Sequence, residues 1–191
     1  MSELGREKPL VKVNGRTLVE RAIAVAKASR KVRQTYVSTS PNAPRTEYLL
    51  DDLPVRVLHT FGEGYVKDLH LVMSDITEDH VLILPVDMPL LTVEDIDGLI
   101  DEYYRRGEPS LTVTLRPELI RSLGLTVTHS EVINDVEVTF CGVSVVNRKE
   151  MLKDDFIAGS NYLTDNIDFA VNVNTAKDIQ VAEELLRRRG E

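Results

Sequence analysis

The sequence predicts an α/β fold built on a mainly parallel sheet with helices on both faces. Short β-branched and apolar runs alternate along the chain with stretches of helical period. Two of the helical stretches open on a hydroxyl residue followed three positions later by a carboxylate, at Thr92/Asp95 and Thr175/Asp178. No linker, repeat or low-complexity tract interrupts the 191 residues, so 1–191 reads as a single domain.

The elements follow in order. Thr17 caps a stripe of Leu18, Ala22, Ile23 and Ala26, which predicts the first helix. QTYVSTS at 34–40 and PVRVLHT at 54–60 predict two strands. Val66, Leu69, Met73 and Ile76 repeat at helical spacing behind Gly62 and Gly64. VLILPVDMP at 81–89 is an apolar run broken by one carboxylate, the pattern of a strand buried on both faces. Thr92 and Asp95 form a capping box ahead of Ile96, Leu99, Ile100 and Tyr103. LTVTL at 111–115 and VTFCGVSVV at 138–146 predict strands, with a less regular stretch between them. AVNVN at 170–174 predicts a last strand. Thr175 and Asp178 then cap a helix through Ile179, Ala182 and Leu186, ending at Gly190.

Composition narrows the function classes. Hydrophobic residues make up 42% and charged residues 28%, so an ordinary core is expected; aromatics at 5% and no Trp make it aliphatic. The net charge of −8 argues against a general nucleic-acid binder, which needs a basic face. A small anionic ligand remains open, because a few Lys, Arg and backbone N–H groups make a local positive pocket. Cys141 is the single cysteine and forms no internal disulfide, which fits a reducing cytoplasm. No apolar run approaches a membrane span and no signal peptide is visible. The expectation is a cytoplasmic protein with no nucleic-acid or membrane partner and an oligomeric state left open.

Sheets of this kind bind ligands at the carboxyl ends of their strands. That rule directs attention to 38–42, 59–65, Asp87 and 172–175. Asp87 leaves a buried run and is followed by Met88 and Pro89, which stop the strand. A carboxylate there suits Mg²⁺, which takes one or two carboxylates plus substrate phosphates; an ordinary loop cap accounts for it equally well. Lys8 beside Pro9 can neutralise a triphosphate as a point charge, although a solvated surface lysine is the commoner case. Asn42 could bond a base edge, and Ser38, Thr39 and Ser40 could line a base or ribose; turn chemistry explains the same residues. Gly62 and Gly64 let backbone approach a ligand at a helix start, and Asp68 serves either a ribose hydroxyl or the helix dipole. Asn172 or Asn174 could complete a metal shell opposite Asp87. There is no GxxxxGK[ST], GxSxG or HExxH motif, so P-loop transfer, serine hydrolysis and zinc proteolysis lose their support.

Taken in order, KPLVKVNGRTL, VSTSPNAPRT, GEGYVKDL, LPVDMPLLT and VNVNTAKDIQVAEELL resemble the MobA-like nucleotidyltransferases. The TSPN stretch and GxGYxxDL look most like the archaeal GTP:adenosylcobinamide-phosphate guanylyltransferases. The resemblance implies a Rossmann-like nucleotidyltransferase fold and transfer of GMP from GTP to adenosylcobinamide phosphate, with Mg²⁺ as cofactor. Other acceptors compatible with it are molybdopterin, phospholactate or a sugar phosphate. By position it makes Lys8 and Asp87 catalytic, with Asp87 and Asn172 at the metal. It assigns Gly5, Lys8, Thr39, Ser40, Asn42, Gly62, Gly64, Tyr65 and Asp68 to the nucleotide, and Gly142 to the acceptor. Ser144 stands where relatives often carry Asn. The family usually opens with an apolar strand and GGxGTRxG before KPL, and here Gly5 alone stands for that loop. The first central strand is therefore expected to be missing, through a start site placed too late or a shortened chain. A nucleotide binder without catalysis is the alternative.

Overall fold

The computed structural model describes residues 7–153 and 157–191. A one-turn 3₁₀ helix at Lys8–Leu10, with Pro9 in its first turn, leads into a small hairpin of β1 (Lys12–Val13) and β2 (Arg16–Thr17). Asn14 and Gly15 turn it, both at positive φ (46° and 75°), as a two-residue hairpin loop requires. Thr17 then opens α1 (Leu18–Ala28): its hydroxyl accepts from the Glu20 N–H, and the Glu20 carboxylate accepts from the Thr17 N–H at 2.9 Å. The same reciprocal box starts α4 (Val93–Arg106) at Thr92/Asp95 and α7 (Ala176–Arg188) at Thr175/Asp178.

The strands fall into two groups. β3 (Tyr36–Thr39) and β4 (Arg56–His59) pair in parallel, from Tyr36 opposite Arg56 to Thr39 opposite His59. β5 (His80–Ile83), β6 (Ser110–Leu115), β7 (Glu131–Ile133), β8 (Val136–Asn147) and β9 (Ser160–Thr164) form the larger sheet, in the order β5-β8-β6-β9 with β7 on the far part of β8. β8 is antiparallel to β5 and β6, while β6 and β9 are parallel, so β5, β6 and β9 share one direction. Helices cover both faces, and strand alternation decides which residue meets which. Leu82 and Leu84 join the cluster of α4 with Ile96, Leu99, Val113 and Val145. Val81 and Ile83 join the opposite cluster around Met73 and Ile76, of α3 (Tyr65–Asp75) and its C-terminus. On the smaller sheet Val37 and Val57 pack with Val19 and Ile23 of α1, while Tyr36 and Leu58 face Met73.

Three differences from the sequence-based expectation matter. First, the strand expected at 81–89 is only His80–Ile83, and 81–87 is partly exposed rather than buried on both faces. β5 has a ladder on one edge alone, and among the described residues no strand joins β5 to β3. Among the described residues β3 and β5 thus each have an unpaired edge, the arrangement expected when the first central strand is missing. Second, 170–174 is not a strand. Val171 and Val173 are fully buried, but the segment's backbone bonds are Ala170 N–H to the Ile167 carbonyl, closing a 3₁₀ turn, and Val173 N–H to the Asp87 carbonyl, both at 2.9 Å. The alternation came from packing against Leu90, Ala182 and Leu186, without a ladder. Third, α5 (Pro117–Ser122), α6 (Arg148–Met151), the β7 hairpin arm and β9 were not anticipated, while α2 (Pro44–Leu50) follows the 37–46 turn as a helix cap there implies.

Candidate functional site

The carboxyl end of β5 lies against two other chain segments, and side chains from all three close into a ring. Pro85 to Pro89 carries the chain out of the sheet and leaves the Asp87 side chain 15% exposed. Lys8, on its proline-started turn, places its ammonium on the Asp87 carboxylate and donates to Asn174 Oδ1 at 2.6 Å. Asn172 Nδ2 donates to the other Asp87 oxygen at 3.1 Å. Asn174 Nδ2 donates to Asn172 Oδ1 at 2.9 Å. Burial of Val171 and Val173 turns the alternating Asn172 and Asn174 outward. The α7 capping box holds the arrangement from behind: Asp178 accepts from the N–H groups of Asn174 (2.8 Å) and Thr175 (2.7 Å). The expected Lys8, Asp87 and Asn172 are therefore brought together, and Asn174 belongs with them.

The second part of the site lies at the carboxyl ends of β3 and β4. Gly62 sits at φ +70°, and a Cβ there would come within 2.6 Å of Asn42 Nδ2 and 3.3 Å of Ser40. Only glycine lets this turn close on the Ser40–Asn42 loop. Ser40 is half-buried, while Asn42, Gly64 and Tyr65 are exposed. Asp68 points back into its own turn and accepts from the N–H groups of Gly62 (3.1 Å) and Glu63 (3.4 Å). These bonds through Oδ1 shape the loop. Thr39 is 6% exposed, with its hydroxyl turned inward and unpartnered, so it supports the loop from beneath. Gly142 sits at φ +86° in a break of the β6–β8 register, where a Cβ would lie 2.9 Å from Pro85 Cγ. Its smoothness accommodates the exit of β5. Gly5 lies outside the described residues.

Glu7 ties the two parts together and was not singled out from the sequence. Its carboxylate accepts from Arg45 N–H (3.0 Å), Thr46 N–H (2.6 Å) and the Thr46 hydroxyl (2.7 Å), at the first turn of α2. Partial burial opposes its charge, but the bonds from Thr46 and Arg45 outweigh this and hold its pKa below the ordinary glutamate range. Because Glu7 and Lys8 are consecutive, one peptide unit spans from the β3 exit to the β5 exit. The partner positions 45 and 46 are far away in sequence, so no spacing rule reveals the contact.

The donor set fits a hard divalent cation better than a soft one. One carboxylate and two amide oxygens meet at the ring, as suits Mg²⁺ completed by phosphate oxygens. Among the described residues no group of three His, Cys, Asp or Glu side chains gathers elsewhere. Burial pushes the Cys141 thiol up to about 11, which removes it as a nucleophile at neutral pH. Among the described residues no helix is long and apolar enough to cross a membrane.

The sequence matches no curated protein. Solved structures share the fold. A 4-diphosphocytidyl-2C-methyl-D-erythritol synthase from Anaerococcus prevotii superposes with a TM-score of 0.67 at 12% identity, over 98% of this chain and 93% of its own. A 2-C-methyl-D-erythritol 4-phosphate cytidylyltransferase from Thermus thermophilus gives 0.63 at 16% identity, over 94% of each chain. A CMP:2-keto-3-deoxy-manno-octonic acid synthetase complexed with CTP gives 0.61 at 15% identity, over 97% of this chain and 80% of its own. The family model of the MobA-like NTP transferase domain matches residues 2–137. With Lys8, Asp87 and the Ser40–Gly62 loop inside that span, the chain belongs to the MobA-like nucleotidyltransferases.

Proposed function

We propose that this protein transfers GMP from GTP to adenosylcobinamide phosphate and releases pyrophosphate. The observation that carries a nucleotidyl-transfer reading is the ring of Lys8, Asp87, Asn172 and Asn174, tied through Glu7 to the Ser40–Asn42–Gly62 loop. An oxygen of the acceptor phosphate forms a bond to the α-phosphorus. The bond from the α-phosphorus to the bridging oxygen breaks, and that oxygen leaves with pyrophosphate. The protein contributes positioning and charge neutralisation. Lys8 neutralises phosphate charge, and the Ser40–Asn42 loop with the Gly62 turn orients the base. Asp87, Asn172 and Asn174 would hold Mg²⁺, which supplies further neutralisation of the triphosphate when bound. The guanine and corrinoid assignments rest on the TSPN and GYVKDL stretches.

A second reading is cytidylyl transfer to a sugar or polyol phosphate, favoured by the names of the structural neighbours. Pyrophosphate release separates the two. GTP and CTP are each supplied with Mg²⁺ and either adenosylcobinamide phosphate or methylerythritol phosphate. The proposal expects release from the GTP and adenosylcobinamide phosphate pair. Release from a CTP pair alone supports the second reading. No release from any pair leaves nucleotide binding without catalysis and defeats both.

A further inference from the structure

Lys8 stands where a cation on Asp87 would stand. Its ammonium binds the Asp87 carboxylate directly, while the other Asp87 oxygen and both asparagine amides are engaged within the same ring. The ring is closed and its ion pair is balanced, with the two side chains only 26% and 15% exposed. A divalent cation approaching the same oxygens meets an ammonium at contact distance, and like charges there repel strongly. The two cations therefore compete for Asp87. Lys8 is also able to leave. It sits on a single 3₁₀ turn, its stem is flexible, and its other neighbour is a neutral amide. What draws it away is a polyanion at the same strand ends.

We infer that Lys8 is the internal counter-ion of Asp87 and blocks divalent-cation binding until a polyphosphate takes the ammonium. The carboxylate is thereby neutralised at rest and released when the nucleotide arrives. By linkage, the nucleotide raises cation affinity, and the cation raises nucleotide affinity by the same factor. Lys8 thus acts twice: as a phosphate contact in the loaded site and as a gate in the empty one. The inference rests on reading Asp87 as the cation ligand. Its test involves neither nucleotide nor turnover, so failure of the guanylyl-transfer reading would leave it standing.

The probe is Mn²⁺ alone, titrated into nucleotide-free protein and followed by its free-ion electron paramagnetic resonance signal. Four chains are compared: wild type, Lys8→Met, the double variant Lys8→Met/Asp87→Asn, and Lys12→Met. Lys12 is exposed on β1, and among the described residues the side-chain partners of Asp87 are Lys8 and Asn172, not Lys12. The expected result is Mn²⁺ binding at least ~10-fold tighter in Lys8→Met than in wild type, as removal of a contact ammonium implies. The gain disappears in the double variant, and Lys12→Met stays within about twofold of wild type, as a screened distant charge should. Equal binding in wild type and Lys8→Met overturns the inference. So does a gain that survives the loss of Asp87, or an equal gain in Lys12→Met. Circular dichroism verifies folding, and Lys8→Ala replaces Lys8→Met if the latter does not fold.

Discussion

On the proposed function, the chemistry turns on Asp87. The β5 exit is also held by the Asp87 backbone carbonyl, which accepts from Val173 N–H at 2.9 Å, and that bond does not need the carboxylate. Asp87→Ala is expected to lower kcat by roughly 100-fold or more, the scale on which groups stabilising transition-state charge act. GTP binding, measured by competition, should weaken by less than about 10-fold, since the proposed site puts base contacts on the Ser40–Asn42 loop and not on Asp87. Equal losses in both would mark Asp87 as structural. Glu7 has a different signature. Its pKa is held below the usual value, so its bonds stabilise the fold above the unfolded glutamate pKa and are lost as pH falls through the folded one. Glu7→Gln should therefore flatten the acid side of the stability profile, read as urea midpoints between about pH 3 and 6. An unchanged acid limb would contradict its capping of α2. Asp87 was legible because a carboxylate interrupts an apolar run. Lys8 gained meaning only beside it. Glu7 was invisible because its partners, Arg45 and Thr46, lie far along the chain and no local spacing connects them.

At the scale of elements, helices long enough to repeat an apolar stripe were legible from it and short ones were not: α1, α3, α4 and α7 span 11 to 14 residues, while α2, α5 and α6 span seven or fewer. Thr17, Thr92 and Thr175 each begin a helix with a local box. α2 spans seven residues, lacks a side-chain cap from Ala43, and takes its carboxylate from Glu7. β9 was missed because SNYLT is half-buried at every position, with no alternation to read. The segment 170–174 was misread for the opposite reason: it alternates, but its valines serve the core of α7 and its asparagines serve Asp87. The Gly62 turn makes its own prediction. Gly62→Ala puts a Cβ 2.6 Å from Asn42 Nδ2 at a φ of +70°. The strained backbone should cost about 1–3 kcal/mol. Displacement of Asn42 should raise the KM for nucleotide while kcat falls less. A variant whose KM matches wild type would show that this loop does not orient the base.

For the whole molecule, the consequence of two separate groups of strands is uneven stability. A two-stranded sheet is marginal alone, so β3 and β4 depend on α1, α3 and the Glu7 tie. Met73 of α3 is 1% exposed and touches both groups, meeting Tyr36 and Leu58 on one side and Val81, Ile83 and Val146 on the other. Met73→Ala should cost about 2–5 kcal/mol. Hydrogen exchange should show β3–β4 amides opening before those shared by β6 and β8, in wild type and more so in this variant. Uniform protection across both groups would contradict that division. The α/β class followed from the alternation of elements. The unpaired edges of β3 and β5 among the described residues followed from the family resemblance and not from periodicity, because pairing is a property of two segments and not of either alone. The central claim, nucleotidyl transfer at the Lys8–Asp87 ring, is tested most directly by pyrophosphate release from GTP and adenosylcobinamide phosphate with Mg²⁺, in wild type and Asp87→Asn. The account predicts acceptor-dependent release in wild type that is lost in Asp87→Asn; release no greater than without acceptor, or equal release in both chains, would contradict it.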